Sequence, residues 1–128
     1  MKFSEHRDSN INVVKTYQSG EVRINAQVFK QSLYFTQHEI FSDWTIQQIA
    51  DLSDEHLQPI VALQPEVIIL GTGEKQVFPD IRFFSYCACH GIGLEVMAND
   101  AACRTYNVLT TEDRDVVLAL IFSQAETN

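Results

Sequence analysis

Alternating apolar and polar residues in the first third of the chain predict β-strands. Residues 11–17 and 22–28 follow a period of two, the spacing of strands with one buried face. Gly20 lies between these runs and predicts a hairpin turn. A third run at 32–36 predicts another strand, and 40–49 predicts a strand-like segment with turns. The chain therefore begins with β structure.

A helical spacing replaces this alternation in the middle of the chain. Ser53 is followed by two acidic residues and predicts a helix N-cap, and Leu57 and Ile60 then recur at helical spacing. Pro59 lies too far inside for a regular helix that begins at Ser53. We therefore expect a kink, or a helix that restarts near Pro59, and an end at Pro65.

The second half predicts a strand–helix–strand unit. Residues 66–70 form a continuous apolar run up to Gly71, typical of a strand covered on both faces in a parallel sheet. A helix is expected over 79–89, with a proline in its first turn and Gly91 after its end. Residues 93–97 predict the next strand. The predicted apolar face of this helix consists of Ile81, Phe84 and Ala88, widened by Phe83 and Cys87.

Two more helices are predicted towards the C-terminus. Asn99 is the expected N-cap of a short helix that ends near Asn107, and Thr110 or Thr111 is the expected cap of a last helix ending near Ser123. Together with the preceding strands, these helices predict a βαβ unit with a right-handed crossover.

Composition limits the class of protein. The 128 residues carry a net charge of −8 and are 45% apolar, which suffices for one ordinary core and predicts a single domain over 1–128. The acidity argues against nucleic-acid binding. The longest apolar run, Val116 to Phe122, is too short to span a bilayer. The polar segment 1–10 has no signal-peptide pattern, so we expect a loosely held N-terminus and a cytoplasmic location.

A glycine turn follows the buried strand of residues 66–70. Gly71, Thr72 and Gly73 stand at its predicted carboxyl end, where open α/β sheets place their ligands, and two glycines let backbone N–H groups approach an anion. Gln76 stands where a dinucleotide fingerprint has its third glycine, so that motif is excluded. The alternative is a tight structural turn that requires positive φ.

Polar residues also gather on the predicted helix after Asn99. Arg104, Thr105 and Asn107 are expected beside the glycine turn, because parallel strands end at the same edge of a sheet. Arg104 there predicts bidentate binding of a carboxylate or phosphate. The alternative is that Arg104 pairs with Glu95 or Glu74 and that Asn107 caps a helix end.

The three cysteines predict no metal site and no cofactor. Cys87 and Cys89 would point roughly 200° apart on a helix, so both are expected as core thiols. Cys103 is the one candidate nucleophile, because a helix amino end favours the thiolate. A nucleophilic role also requires a histidine base, and the sequence places none beside Cys103. The pattern therefore favours a protein without catalytic residues.

Three motifs in order identify a resemblance. They are Leu70–Gln76 with Phe78-Pro79 after it, Gly91–Met97, and Ala101–Leu109. In these motifs the chain resembles the family that includes the mitochondrial NADH dehydrogenase (ubiquinone) alpha-subcomplex assembly factor 3. The resemblance implies a three-layer α/β fold with a central mixed sheet and an extra layer from the N-terminal hairpin. It also implies a role in assembling respiratory complex I, and it brings no catalytic residue.

Two functional hypotheses follow. The first is a non-catalytic interaction or assembly protein with a protein partner, and the resemblance links it to respiratory complex I assembly. The alternative is a binder of, or an enzyme acting on, a small anionic ligand at the same sheet edge. For both hypotheses the candidate binding residues are the same: Gly71, Thr72, Gly73, Glu95, Arg104, Thr105 and Asn107.

Overall fold

Two β-sheets and three helices form the structure, a computed structural model that describes residues 11–123. The prediction of a loosely held segment at 1–10 lies outside the described residues. The strands are β1 (Val14–Gln18), β2 (Glu21–Ile24), β3 (Gln27–Phe29), β4 (Leu33–Phe35), β5 (Ile40–Phe41), β6 (Val67–Gly71), β7 (Gly93–Met97) and β8 (Val116–Leu120). The helices are α1 (Asp54–Val61), α2 (Arg82–Cys89) and α3 (Asn99–Thr111).

The N-terminal strands form a small antiparallel sheet in the order β1-β2-β3. Gly20 turns the chain between β1 and β2 with φ of +84°, and Asn25 takes φ of +53° before β3. The predicted hairpin is therefore confirmed, and β3 extends it to a three-stranded sheet.

A five-stranded mixed sheet with the order β5-β4-β8-β6-β7 forms the centre of the molecule. Strands β6, β7 and β8 are parallel, whereas β4 pairs antiparallel with both β8 and β5. Every residue of β6 and of β8 is buried, as their continuous apolar sequences require. The predicted mixed sheet and βαβ unit are confirmed.

The predicted last helix is wrong. Residues Val116–Leu120 form β8, between β4 and β6, and the helix that begins at Asn99 continues through Thr110 to Thr111. Residues 116–120 are all apolar, so they show no alternation of apolar and polar positions at helical spacing. Pairing with the neighbouring strands β4 and β6 therefore determines that this segment is a strand. Asn99 is likewise not the N-cap of α3, because Ala98 holds that position.

The predicted start of α1 is confirmed, and no restart occurs at Pro59. Ser53 is the N-cap, and its backbone N–H donates to Nδ1 of His56 at 3.1 Å, which closes a capping box. Pro59 lies within one helix that runs to Val61.

Helix α2 begins three residues later than predicted. Pro79 precedes the helix, which starts at Arg82, and Gly91 after its end has φ of +75°, as the sequence predicted. The buried face consists of Phe83 and Cys87. Ile81 precedes the helix and is exposed, so its predicted place in the core is wrong.

The helices cover both faces of the central sheet. Side chains of α1 and α2 pack on one face, and α3 packs with the small sheet on the other, which confirms the three-layer α/β fold. The crossover from β6 to β7 runs through α2 on one face, and the crossover from β7 to β8 runs through α3 on the other face and in the opposite direction along the sheet. The two crossovers therefore have the same hand. Within residues 11–123, no helix reaches the length and apolarity that crossing a bilayer would need.

Candidate functional site

The carboxyl ends of the parallel strands meet at one edge of the central sheet. Gly71 at the end of β6 is in register with Met97 on β7 and with Leu120 on β8. The chain leaves β6 for β7 on one side and later returns to β8 on the other, so the crevice between β6 and β8 is a topological switch point. Open α/β sheets place their ligands at such a crevice.

The side chain of Asn99 occupies this crevice. Its Oδ1 accepts the Gly73 backbone N–H at 3.1 Å, and its Nδ2 donates to the Ile121 carbonyl at 3.0 Å. The Asn99 backbone N–H also donates to the Gly73 carbonyl at 2.8 Å. Asn99 is 0% exposed, so a buried side chain from the start of α3 joins the ends of β6 and β8.

The two glycines of the turn serve different purposes. A Cβ on Gly71 would overlap Oδ1 of Asn99 and lie 2.8 Å from a methyl carbon of Leu120, so this position requires the absence of a side chain. Gly73 has open space around it but takes φ of +110°, which favours glycine. The predicted positive φ therefore holds at Gly73, whereas Gly71 is needed for close approach.

Thr72 fixes the loop that leaves the turn. Its Oγ1 donates to the Lys75 carbonyl at 2.5 Å and accepts the Val77 N–H at 3.1 Å. Farther along the same loop, Nε2 of Gln76 donates to the Val96 carbonyl at 2.9 Å and ties the loop to β7. These three bonds hold the backbone around Val77 in a defined position.

Beyond these bonds the loop exposes large apolar side chains. Val77 is 45% exposed, Phe78 66% and Ile81 78%. We call these three residues the apolar loop surface. Their grouping on one loop makes this a candidate interaction surface.

The opposite side of the turn carries a tyrosine–carboxylate pair. The Tyr17 hydroxyl donates to Oε2 of Glu74 at 2.9 Å and accepts from Nδ2 of Asn99 at 3.3 Å. Burial and the bond to Glu74 raise the pKa of Tyr17, so it stays a hydrogen-bond donor. The Tyr17 ring stacks on Phe122, with centroids 6.2 Å apart, and so connects the small sheet to the end of β8.

The chemistry of the turn disfavours an anion. The Thr72 N–H donates to the Met97 carbonyl at 3.0 Å and the Gly73 N–H donates to Asn99, so both are engaged within the protein. Glu74 is one of the residues that line the adjacent cavity of about 240 Å³. A carboxylate at that position would repel a phosphate or carboxylate ligand.

Arg104 lies on the solvent face of α3. Its side chain is 72% exposed and its Nη1 lies 3.8 Å from Oδ2 of Asp100, one helical turn earlier. The ion-pair partner of Arg104 is therefore Asp100, and not Glu95 or Glu74 as the alternative predicted. Glu95 itself is exposed on β7. The bonds that hold the glycine turn come from Asn99, on the buried face of α3.

Thr105 and Asn107 have structural contacts. Oγ1 of Thr105 donates to Sδ of Met97 at 3.3 Å. Asn107 forms two bonds with one residue of β1: its Oδ1 accepts the Val14 N–H at 2.9 Å and its Nδ2 donates to the Val14 carbonyl at 2.8 Å. Asn107 thus docks the small sheet onto α3. It does not cap a helix end, as the structural alternative had predicted.

The environment of Cys103 disfavours the thiolate form. Burial, together with the Asp100 carboxylate, raises its pKa to about 12, so the thiol stays protonated at neutral pH. The amino end of α3 was expected to favour the thiolate, and burial outweighs that effect. Cys87 is buried, whereas Cys89 is exposed, which corrects the prediction that both are core thiols.

Sequence reasoning missed three features of this edge: the buried amide of Asn99, the Tyr17–Glu74 bond and the apolar loop surface. The helical period was a signal for the first, since Asn99, Cys103 and Tyr106 share one apolar face. The bond between Tyr17 and Glu74 joins residues 57 positions apart and has no local signal.

Comparison with known proteins gives a family. A family model described as a protein of unknown function (DUF498/DUF598) matches residues 14–121. A 13 kDa major membrane protein of Francisella tularensis subsp. holarctica is 34% identical over 109 residues, which cover 84% of this chain and 88% of the relative. A solution structure of a Xanthomonas campestris protein is 38% identical, with a TM-score of 0.82 over 91% of this chain and 89% of that one.

Assembly factors are among the relatives. The NADH dehydrogenase (ubiquinone) 1 alpha subcomplex assembly factor 3 of Danio rerio is 34% identical over 80 residues, which cover 61% of this chain. Those residues are 46% of the assembly factor, so the chain matches less than half of that relative's length. The resemblance found in the three sequence motifs is confirmed, and the chain belongs to the DUF498/DUF598 family of proteins of unknown function.

Proposed function

We propose that this chain is a non-catalytic protein-binding factor that assists the assembly of a multisubunit complex. The complex favoured by its relatives is respiratory complex I, because the Danio rerio relative and one from Drosophila melanogaster carry the name of an assembly factor for NADH dehydrogenase. The matched segment is less than half of each of these relatives. That this chain acts on the same complex is therefore part of the proposal.

The apolar loop surface is the observation that carries the proposal. Three large apolar side chains are exposed on one loop. When a partner covers them, each contributes to the binding free energy by about 25 cal/mol per Å² of apolar surface removed from water. The hydrogen bonds of Thr72 and Gln76 fix the loop before a partner arrives. Such preorganisation lowers the entropy lost on binding.

The buried polar chemistry of the sheet edge supports binding rather than catalysis. Among the described residues, every buried side-chain nitrogen or oxygen has a hydrogen-bond partner. Asn99 and Thr72 at the switch point are engaged in holding the turn. A catalytic site of this kind usually aims polar groups into an accessible pocket.

The proposal includes a cytoplasmic location. The Francisella tularensis relative is named a membrane protein. Attachment to a membrane-bound complex during its assembly would place a protein of this kind at a membrane without a membrane-spanning helix.

Assembly in the cells that encode this chain tests the proposal. The gene is deleted, and the amount of assembled NADH:quinone oxidoreductase is measured on native gels and by NADH oxidation in membranes. We expect the deletion to reduce the assembled complex. The unchanged chain should restore it, and Phe78→Ser/Ile81→Ser should not.

Two matched variants serve as controls. Val108 is another exposed apolar residue, on the solvent face of α3, so Val108→Ser should restore assembly fully. Arg104→Ala removes a residue of the other predicted surface and should also restore it. The proposal is wrong if deletion leaves assembly unchanged, or if the loop variant restores it as well as Val108→Ser does.

A further inference from the structure

We propose that the apolar loop surface binds a segment of a partner protein that combines apolar side chains with lysine or arginine residues. This inference rests on the proposed protein-binding function and adds the chemical class of the bound segment. It follows from the shape of a groove beside the loop and from the charges on the rim of that groove.

The groove lies between the 3-10 turn before α1 and the loop that leads into α2. One wall is formed by Ile49, Ala50 and Leu52, in and after the short 3-10 turn Ile49–Asp51, and the other by residues 77–80 of the loop together with the first two residues of α2. The cavity volume of about 400 Å³ falls within the range of roughly 300–1,000 Å³ that binding sites occupy. The apolar lining residues are Ile49, Ala50, Leu52, Val77, Phe78 and Phe83.

Both walls of the groove are held in place. Oγ1 of Thr72 accepts the Val77 N–H, and Pro79 restricts the backbone after Phe78. Phe83 and Leu52 are buried in the same core cluster, which ties the walls to the central sheet. The groove therefore exists before any partner binds.

Charge gives the groove its selectivity. Asp80 is part of the lining, and Asp51 lies in the 3-10 turn that forms one wall. The cation in the lining is Arg82, whose Nη1 bonds to Oδ1 of Asp54 at 3.0 Å and whose guanidinium lies 4.3 Å from the ring centre of Phe83. Arg82 is already paired with Asp54, so Asp80 is the carboxylate that remains in the lining, and its Oδ1 also accepts the Arg82 backbone N–H at 3.0 Å. Asp51 adds an exposed carboxylate on the adjoining turn.

This charge selects among the possible occupants. A second copy of the chain would bring the same acidic rim and a net charge of −8, and an anionic lipid surface would be repelled by the same carboxylates. Lysine or arginine residues beside an apolar anchor would instead be attracted by Asp80 in the lining and by the exposed Asp51 on the adjoining turn, and complementary charge speeds association.

Fluorescence anisotropy with two synthetic peptides tests the inference. One labelled peptide contains Leu, Phe and Lys, and the other has Glu at every Lys position. We expect the intact chain to bind the Lys peptide at least about tenfold more tightly than the Glu peptide at low salt. Phe78→Ser/Ile81→Ser should weaken this binding about tenfold or more.

Charge variants separate the two parts of the surface. Asp51→Asn/Asp80→Asn should weaken Lys-peptide binding about three- to tenfold and reduce its dependence on salt. Val108→Ser should change neither the affinity for the Lys peptide nor the salt dependence of that affinity. The inference is overturned if neither peptide binds, if the two bind alike, or if Val108→Ser weakens binding as much as the loop variant.

Two further measurements address the other occupants. Sedimentation velocity that shows a dimer abolished by Phe78→Ser would assign the groove to a second copy. Co-sedimentation with phosphatidylglycerol vesicles that depends on Phe78 and Ile81 would assign it to a membrane. Either result overturns the inference.

The proposed function can fail separately. If assembly in cells needs Phe78 and Ile81 but the two peptides bind alike, the function stands and the charge preference is wrong. If the Lys peptide binds as expected but assembly does not depend on the loop, the charge preference stands and the assembly function is wrong.

Discussion

The carboxamide of Asn99 lies directly over the α-carbon of Gly71, where a Cβ would overlap its Oδ1 atom. The same oxygen accepts the N–H of Gly73, and the amide nitrogen reaches the carbonyl of Ile121. One buried side chain thus fills the crevice in which related α/β folds hold ligands. A glycine at 71 and an asparagine at 99 depend on each other.

Replacement of Asn99 by alanine should destabilise the protein by about 2–5 kcal/mol. The part-buried N–H of Gly73 and the buried carbonyl of Ile121 would each lose a partner, and each unpaired buried group costs about 1–3 kcal/mol. Urea unfolding measures this change. A cost below that of an ordinary surface substitution would contradict the assigned role of Asn99.

Gly71→Ala should destabilise the protein by about 1–3 kcal/mol through overlap with Asn99 and Leu120. Gly73→Ala is the matched control, because it has open space but keeps a backbone φ of +110°, so its cost comes from backbone strain alone. In Asn99→Ala the Gly71→Ala substitution should cost less than in the unchanged chain. Simple additivity of the two substitutions would show that they do not share this contact.

The parallel part of the sheet could be predicted because its strands carry strong local signals. The run that predicts β6 ends at Gly71 and the residues that predict β7 begin at Gly93, and both segments are strands in the structure. The run at 116–120 is equally apolar, but threonines and acids before it imitate a helix start. Its pairing with β4 and β6 depends on residues far away in the chain, which no local pattern shows.

The candidate site could be predicted only in part. Gly71 and Gly73 mark the turn, and the sequence places them correctly at the end of a buried strand. Arg104 was expected beside them because parallel strands end at the same edge of a sheet, whereas the phase of α3 points its side chain to solvent. Ile81 was expected in the core because the helix was predicted to begin at Pro79, and its exposure follows from the later start at Arg82.

Asn107→Ala should loosen the small sheet. Its amide forms two bonds with the backbone of Val14, so removing it frees β1 from α3 and should destabilise the protein by about 1–3 kcal/mol. Hydrogen exchange of the Val14 amide should speed up more than exchange in β6. Asn107→Asp keeps the acceptor for the Val14 N–H and loses the donor to the Val14 carbonyl. Its Val14 exchange rate should therefore lie between those of the unchanged chain and Asn107→Ala. Equal protection of Val14 in all three proteins would contradict this docking role.

The cysteines should differ in their reaction with iodoacetamide. Cys89 is exposed, whereas Cys87 and Cys103 are buried and burial raises the pKa of both thiols. The thiolate is the reacting species, so Cys89 should be labelled first in the folded protein at neutral pH. Peptide mapping by mass spectrometry gives the three rates, and unfolding in urea should make them similar. Fast labelling of Cys103 in the folded protein would instead restore it as a candidate nucleophile.

Alkaline conditions should destabilise the fold. Burial raises the pKa of Cys103 from its ordinary value of 9.0 to about 12, and that of Tyr106 from 10.0 to about 12. The unfolded chain therefore loses these protons at a lower pH than the folded protein does. The stabilisation is fully present below pH 9 and is lost as pH rises towards 12, at about 1.4 kcal/mol per pH unit for each group within its range.

Urea unfolding between about pH 8 and pH 11 measures this loss of stability. In Cys103→Ala one titrating group is absent, so the decrease in unfolding free energy from pH 8 to pH 10 should be smaller by about 1–2 kcal/mol. Cys89→Ala is the matched control, because its side chain is exposed, and its profile should run parallel to that of the unchanged chain. If the Cys103→Ala profile is parallel as well, the Cys103 thiol does not contribute to alkaline destabilisation, and the loss of stability comes from the other buried groups, Cys87 and Tyr106.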